Sequence, residues 1–145
     1  MCAARSESET GSLLNHILRT DLASFVQKSF GTVSPGDTFS PNWHIEAMCH
    51  SLSKVVGGET RRLIISIPPR HLKSICASVA LPAWVLGQDP TRRIICVSYS
   101  GDLAKKHSND FRAVLESRWY RSAFPGTRIG PSFCRWVIPL ATGAT

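Results

Sequence analysis

Between Ser12 and Phe30, apolar residues fall at positions 13, 14, 17, 18, 22, 25, 26 and 30. That spacing follows the helical period and predicts an amphipathic helix capped by Ser12 and stopped by Gly31. The stretch from Thr32 to Pro41 concentrates Gly, Pro, Ser and Asp, the composition of a loop. Asn42 is then placed to cap a second helix, which runs to about Val56 and stops at Gly57 and Gly58. Here the pattern changes. Leu63 to Ile67 and Arg93 to Tyr99 are short, largely apolar runs containing β-branched residues, which suits strands buried on both faces of a parallel sheet. Ser74 to Leu86 and Gly101 to Ser117 return to helical spacing, with Pro82 expected to kink the first and Gly87 to end it. The alternation of strand, helix, strand and helix predicts a right-handed βαβ unit, hence an α/β domain with a parallel sheet and a helical N-terminal appendage packed on it. Beyond Phe124 the periodicity fades to one short apolar run, Trp136 to Leu140, interrupted by Pro139, and a small-residue tail with no assigned element.

Of the 145 residues, 43% are hydrophobic and 19% charged, enough apolar material for a core and too much for a chain disordered throughout. No apolar run approaches the roughly 18 residues that span a bilayer, and Met1 to Thr10 is polar and partly acidic rather than leader-like, so a cytoplasmic location is expected. The five cysteines, Cys2, Cys49, Cys76, Cys96 and Cys134, form no CxxC pair and are expected to be thiols. Cys76 and Cys96 lie among apolar neighbours and read as small buried hydrophobes. Charge divides unevenly: residues 1–60 carry a net −2 and residues 61–145 a net +9. A basic half fits an anionic partner, nucleotide or nucleic acid, and equally fits a solvated basic face.

The segment with the most chemistry is IPPRHLKS, Ile67 to Ser74, between a predicted strand and a predicted helix. In a phosphate-binding loop, backbone N–H groups and a helix N-terminus cradle the phosphates, a Lys reaches the β and γ phosphates, and the next hydroxyl helps hold Mg²⁺. Lys73 and Ser74 stand in those last two places, whereas Ile67 and Leu72 stand where glycines are usual. By spacing alone the segment is either a deviant phosphate loop or a helix start that happens to read Lys-Ser; its place after a strand favours the loop.

The run RRLIISIPPRHLKS, followed by Ala83 to Gly87, Pro90, Ile95 to Ser100, Leu103-Ala104 and Ser122 to Gly126, resembles the large terminase subunit of tailed bacteriophages and prophages. That subunit is the ATP-driven motor that packages DNA into the capsid. The likeness spans about Phe39 to Ile129 and implies a partial P-loop NTPase domain of the ASCE type at 39–129, with residues 1–38 a helical segment before it and 130–145 an unassigned tail. It implies ATP and Mg²⁺ as cofactors, held by Pro68, Pro69, Arg70, His71, Leu72, Lys73 and Ser74. Within that set Lys73 contacts the β and γ phosphates, Ser74 the metal, and Arg70 the γ-phosphate side, the one candidate catalytic contact. His44, beside Trp43, matches a position that lines the adenine in the family; simple packing at a helix start is the alternative. Leu72 departs from the family's common Gly and sets a Cβ where backbone approaches phosphate.

The resemblance also implies double-stranded DNA as a partner, together with a portal and a small terminase subunit. The family's Mg²⁺-binding and water-activating carboxylates and its nuclease lie downstream of the matched region. Asp89, Asp102 and Asp110 do not follow a strand as such acids must, so ATP binding without hydrolysis is expected. The segment after Phe124-Pro125-Gly126-Thr127-Arg128-Ile129 departs from the family, as a frameshift or early stop would make it do. A non-enzymatic basic fragment that binds DNA or the motor is the second reading. Arg92, Arg93, Lys105, Lys106, Arg112, Arg118, Arg121 and Arg128 are the candidate phosphate-backbone contacts, with Lys105 and Lys106 better explained as a solvated face.

Overall fold

The computed structural model describes residues 3–127, with side chains from Thr10 onward. It contains helices α1 (Ala3–Thr20), α2 (Leu22–Val33), α3 (Trp43–Val56), a π-helical segment (Ile75–Ala80) running directly into α4 (Leu81–Gln88), then α5 (Gly101–Glu116) and α6 (Arg118–Ala123). Cys2, Arg128, Ile129, Cys134, the Trp136 to Leu140 run and the tail at 130–145 lie outside the described residues.

The expected α/β domain with a parallel sheet is overturned: among the described residues there is no strand and no sheet, and the fold is all-helical. Leu63 to Ile67 takes no regular element, and Arg93 to Tyr99 shows only an isolated bridge residue at Val97. Ile64 is 94% exposed and Ile95 74%, whereas Ile65 and Ile67 are partly buried against the core, so the residues meant for a sheet interior are not buried together. A strand is stabilised by its neighbours, and two short runs without a third partner and without helices on both faces lack what a parallel pair requires. Apolar, β-branched composition reports a preference for burial as much as for strand geometry.

The core is built by helices instead. The long helix expected from Ser12 is two, because Asp21 interrupts it: its carboxylate accepts from the amides of Ala23 (3.4 Å) and Ser24 (2.8 Å) and so caps α2. Phe25 and Val26 of α2 are wholly buried, as are Cys76, Val79 and Ala80 of the π segment. Val114 of α5 and Ala123 of α6 close over them. The Phe25 ring meets Trp119, Tyr120 and Phe124 edge-on at centroid separations of 5.4, 6.1 and 6.0 Å. Burying that one side chain contributes about 2–3 kcal/mol, and such aromatic edges add about 0.5–1.5 kcal/mol per pair.

Side-chain bonds tie distant helices. Trp84 Nε1 donates to the Leu18 carbonyl at 3.1 Å, the Tyr120 hydroxyl to the Ala83 carbonyl at 2.8 Å, and Trp119 Nε1 to Thr32 Oγ1 at 3.0 Å. Arg19 Nε also donates to the Ala123 carbonyl, so the end of α1 and the end of α6 are held together. Gly87 does not end its helix, which continues to Gln88. Its role is space: a Cβ there would sit 2.6 Å from Phe124 Cδ1.

A candidate phosphate-binding loop

Leu63 to Ile67 leads into Pro68 and Pro69, whose fixed φ and missing N–H groups exclude a regular element there. The chain then turns through two residues with left-handed backbone, Arg70 at φ 67° and Leu72 at φ 56°. For a non-glycine residue that region costs roughly 1–2 kcal/mol, so two such residues within three positions mark a loop held in a particular shape by its surroundings. Two contacts supply some of that hold. His71 shares a 2.9 Å hydrogen bond between its Nδ1 and the Pro69 carbonyl, and Leu72 packs half-buried against the core.

Helical geometry begins immediately afterwards, at Lys73 and Ser74, and the Leu72 carbonyl accepts from the Cys76 amide at 2.9 Å. The amides of Lys73, Ser74 and Ile75 are therefore first-turn groups, which a helix leaves without intrahelical partners. Position 72 is where a phosphate loop usually has Gly. The backbone there is left-handed in this chain too, so Leu72 carries the strain that Gly would not.

Of the residues singled out from the sequence, Pro68, Pro69, Arg70, His71 and Ser74 are exposed and Lys73 is half-buried. His44, on the first turn of α3, is brought to this loop: its ring lies 5.3 Å from that of His71, at 65°. Trp43 stands edge-on to His44 at 6.2 Å and is 77% exposed. The His44 imidazole thus borders the loop on the α3 side, a contact the sequence hinted at through His44. Among the described residues neither Arg70 nor Lys73 forms an ion pair.

The acids lie apart in role. Asp89 accepts from the Thr91 hydroxyl at 2.6 Å and amide at 3.0 Å and pairs with Arg92 at 3.5 Å. Asp110 pairs with Lys106 at 2.8 Å, and Asp102 lies in the first turn of α5. The Thr91 hydroxyl and amide, followed by the smaller effects of Arg92, outweigh a slight desolvation and hold Asp89 below the ordinary carboxylate range. Among the described residues no group of three or more His, Cys, Asp or Glu side chains could hold a metal ion.

Two clefts open elsewhere, neither lined by Ile67 to Ser74. One, of about 670 Å³, lies between α1, α2 and the loop after α2 and is floored by Phe30, Phe39 and Trp119. The other, of about 380 Å³, lies between the α1–α2 junction and α3. No helix among the described residues is long and apolar enough to cross a membrane. No protein-family model, curated protein or solved structure matches the chain.

Proposed function

We propose that Ile67 to Ser74 binds the phosphates of ATP with Mg²⁺, and that the chain is the nucleotide-binding part of a DNA-packaging motor of the terminase large-subunit kind. The observation that supports this reading best is the pair of left-handed residues, Arg70 and Leu72, immediately ahead of a helix whose first turn is Lys73-Ser74. Strained backbone at a loop that turns amides toward a helix start is the arrangement anion-binding nests use. That mechanism needs backbone amides and a helix N-terminus rather than a sheet, so the reading rests on the loop and not on a preceding strand.

In this reading Lys73 reaches the β and γ phosphates, Ser74 Oγ joins the Mg²⁺ shell and Arg70 meets the γ-phosphate side. His44 borders the base, where an imidazole can stack on adenine. Binding without turnover is expected of this chain alone. Isothermal titration of Mg-ATP tests it: weak saturable binding, lost in Lys73→Ala, supports the reading, and heat indistinguishable from dilution overturns it. A phosphate-release assay at background completes it, since steady turnover lost in Lys73→Ala means that a catalytic carboxylate is present.

The second reading, a basic fragment that contacts DNA or the motor, including its portal and small subunit, draws on the exposed Arg61, Arg62, Arg92 and Arg93. Such contacts are to phosphate alone and fall steeply with salt. Salt-insensitive or sequence-selective binding by fluorescence anisotropy would exclude it.

A further inference from the structure

His44 and His71 stand 27 positions apart in sequence, on the first turn of α3 and in the loop after Pro69, and the fold brings their rings together. The ring centres are 5.3 Å apart and the planes are inclined at 65°. His71 is exposed and His44 half-buried, so the pair opens to solvent.

The two nitrogens of His71 are not equivalent. Its Nδ1 lies 2.9 Å from the Pro69 carbonyl oxygen. A carbonyl oxygen only accepts, so Nδ1 carries the proton and donates, and the lone pair of the neutral ring is on Nε2. A backbone carbonyl that engages one imidazole nitrogen, and so fixes the other as the ligand, is the usual outer support of a metal-bound histidine.

The ring separation carries a second argument. A metal ion about 2.0–2.1 Å from an imidazole nitrogen lies about 3.2 Å from the ring centre, so two such rings at a tetrahedral angle have centres about 5.2 Å apart. The observed 5.3 Å agrees with that spacing. An imidazole lone pair lies in the ring plane, so inclined rings can converge on one ion where parallel stacked rings cannot. The neighbouring charges select the kind of ion. Arg70 and Lys73 flank His71 in the chain, and they oppose hard cations such as Mg²⁺ and Ca²⁺, which are held by anionic oxygens. Coordination by neutral imidazole needs no negative charge and suits the borderline first-row metals.

We propose that His44 and His71 form a two-histidine site for a divalent transition-metal ion of the Zn²⁺ type, with water or an anion's oxygens in the remaining positions. His71 binds through Nε2, and the bound ion ties the start of α3 to the loop. A metal takes the edge of an imidazole whereas a nucleotide base stacks on its face, so this site does not depend on ATP binding.

The test uses the full chain, stripped with chelator, reduced and free of nucleotide, with the histidine rings labelled for NMR. Titration with Zn²⁺ alone is expected to move the His44 and His71 ring signals together, saturating at one equivalent, while those of His16 and His50 stay in place. Mg²⁺ and Ca²⁺ at the same concentrations move neither. His44→Ala and His71→Ala each weaken Zn²⁺ binding at least ten-fold, and His50→Ala leaves it unchanged. The wild-type spectra decide even if a variant fails to fold. Zn²⁺ taken up by cysteine sulfur or by other histidines, with the His44 and His71 signals unmoved, overturns the proposal; so does movement of only one of the two. Because no nucleotide is present, the result is separate from that of the Mg-ATP titration.

Discussion

At Arg70 the conflict between a side chain and its backbone is sharpest. The residue is exposed and left-handed, so it adds strain without apolar burial in return. Arg70→Gly is expected to stabilise the fold by about 1 kcal/mol, while weakening Mg-ATP binding through loss of the guanidinium. Denaturant titration beside calorimetry separates these opposite effects, and a variant that is less stable would mean that Arg70 holds the loop together. Ser29 offers a different case. Its hydroxyl is wholly buried and has no hydrogen-bond partner among the described residues. Ser29→Ala is therefore expected to raise stability by about 1 kcal/mol, from the lifted desolvation cost and the better helix propensity; a higher urea midpoint at unchanged slope is the measurement. Burial pushes Tyr120 well above the ordinary phenol range, so its hydroxyl stays a donor to the Ala83 carbonyl throughout neutral conditions.

At the scale of elements, Asp21 shows how a single cap divides one periodic stretch into two helices. Burial raises its pKa, but bonds from Ser24 and Ala23 outweigh burial and leave it lowered. A carboxylate whose folded value lies below its unfolded one stabilises fully above the unfolded value and loses that contribution as pH falls through the folded one. Asp21→Ala should cost about 1 kcal/mol at neutral pH, and the gap to wild type should narrow below about pH 4. Parallel urea curves across pH would reveal a gap that fails to narrow. The pattern of positions made α3 and α5 legible nearly to their ends, because their apolar faces are regular and their stops are strong. It hid the α1–α2 break, since apolar spacing runs across Asp21 without interruption. It also misread Leu63 to Ile67 and Arg93 to Tyr99: β-branched runs look the same whether or not a partner strand exists, and pairing is a property of two segments. The loop was visible as IPPRHLKS, and so was the absent glycine. The meeting of His44 with His71 depends on how α3 packs, which no local spacing encodes.

For the whole molecule, the outward-facing apolar segments set solution behaviour. Ile64, Ile95, Val97 and Tyr99 are 94%, 74%, 64% and 91% exposed, on segments that form no strand among the described residues. Exposed apolar segments of this kind promote association. Sedimentation velocity should show concentration-dependent self-association that the double variant Ile64→Lys, Ile95→Lys reduces; a monodisperse wild-type monomer would contradict this. The π segment has a consequence of another kind. Its wide turn ends with the Leu81 amide bonded to the Cys76 carbonyl, five residues back, just before Pro82, which has no N–H to give. A π turn is equivalent to one residue inserted into an α-helix, and one residue is worth about 100° of rotation. Removing a residue between Ile75 and Ala80 would let an ordinary helix run through with both flanks in their present phase, whereas forcing the same residues into the α period would swing Lys73 and Ser74 roughly 100° about the axis relative to the buried face of α4. The direction in which the loop presents its charges is thus set separately from the packing of the core, by a phase offset of one residue.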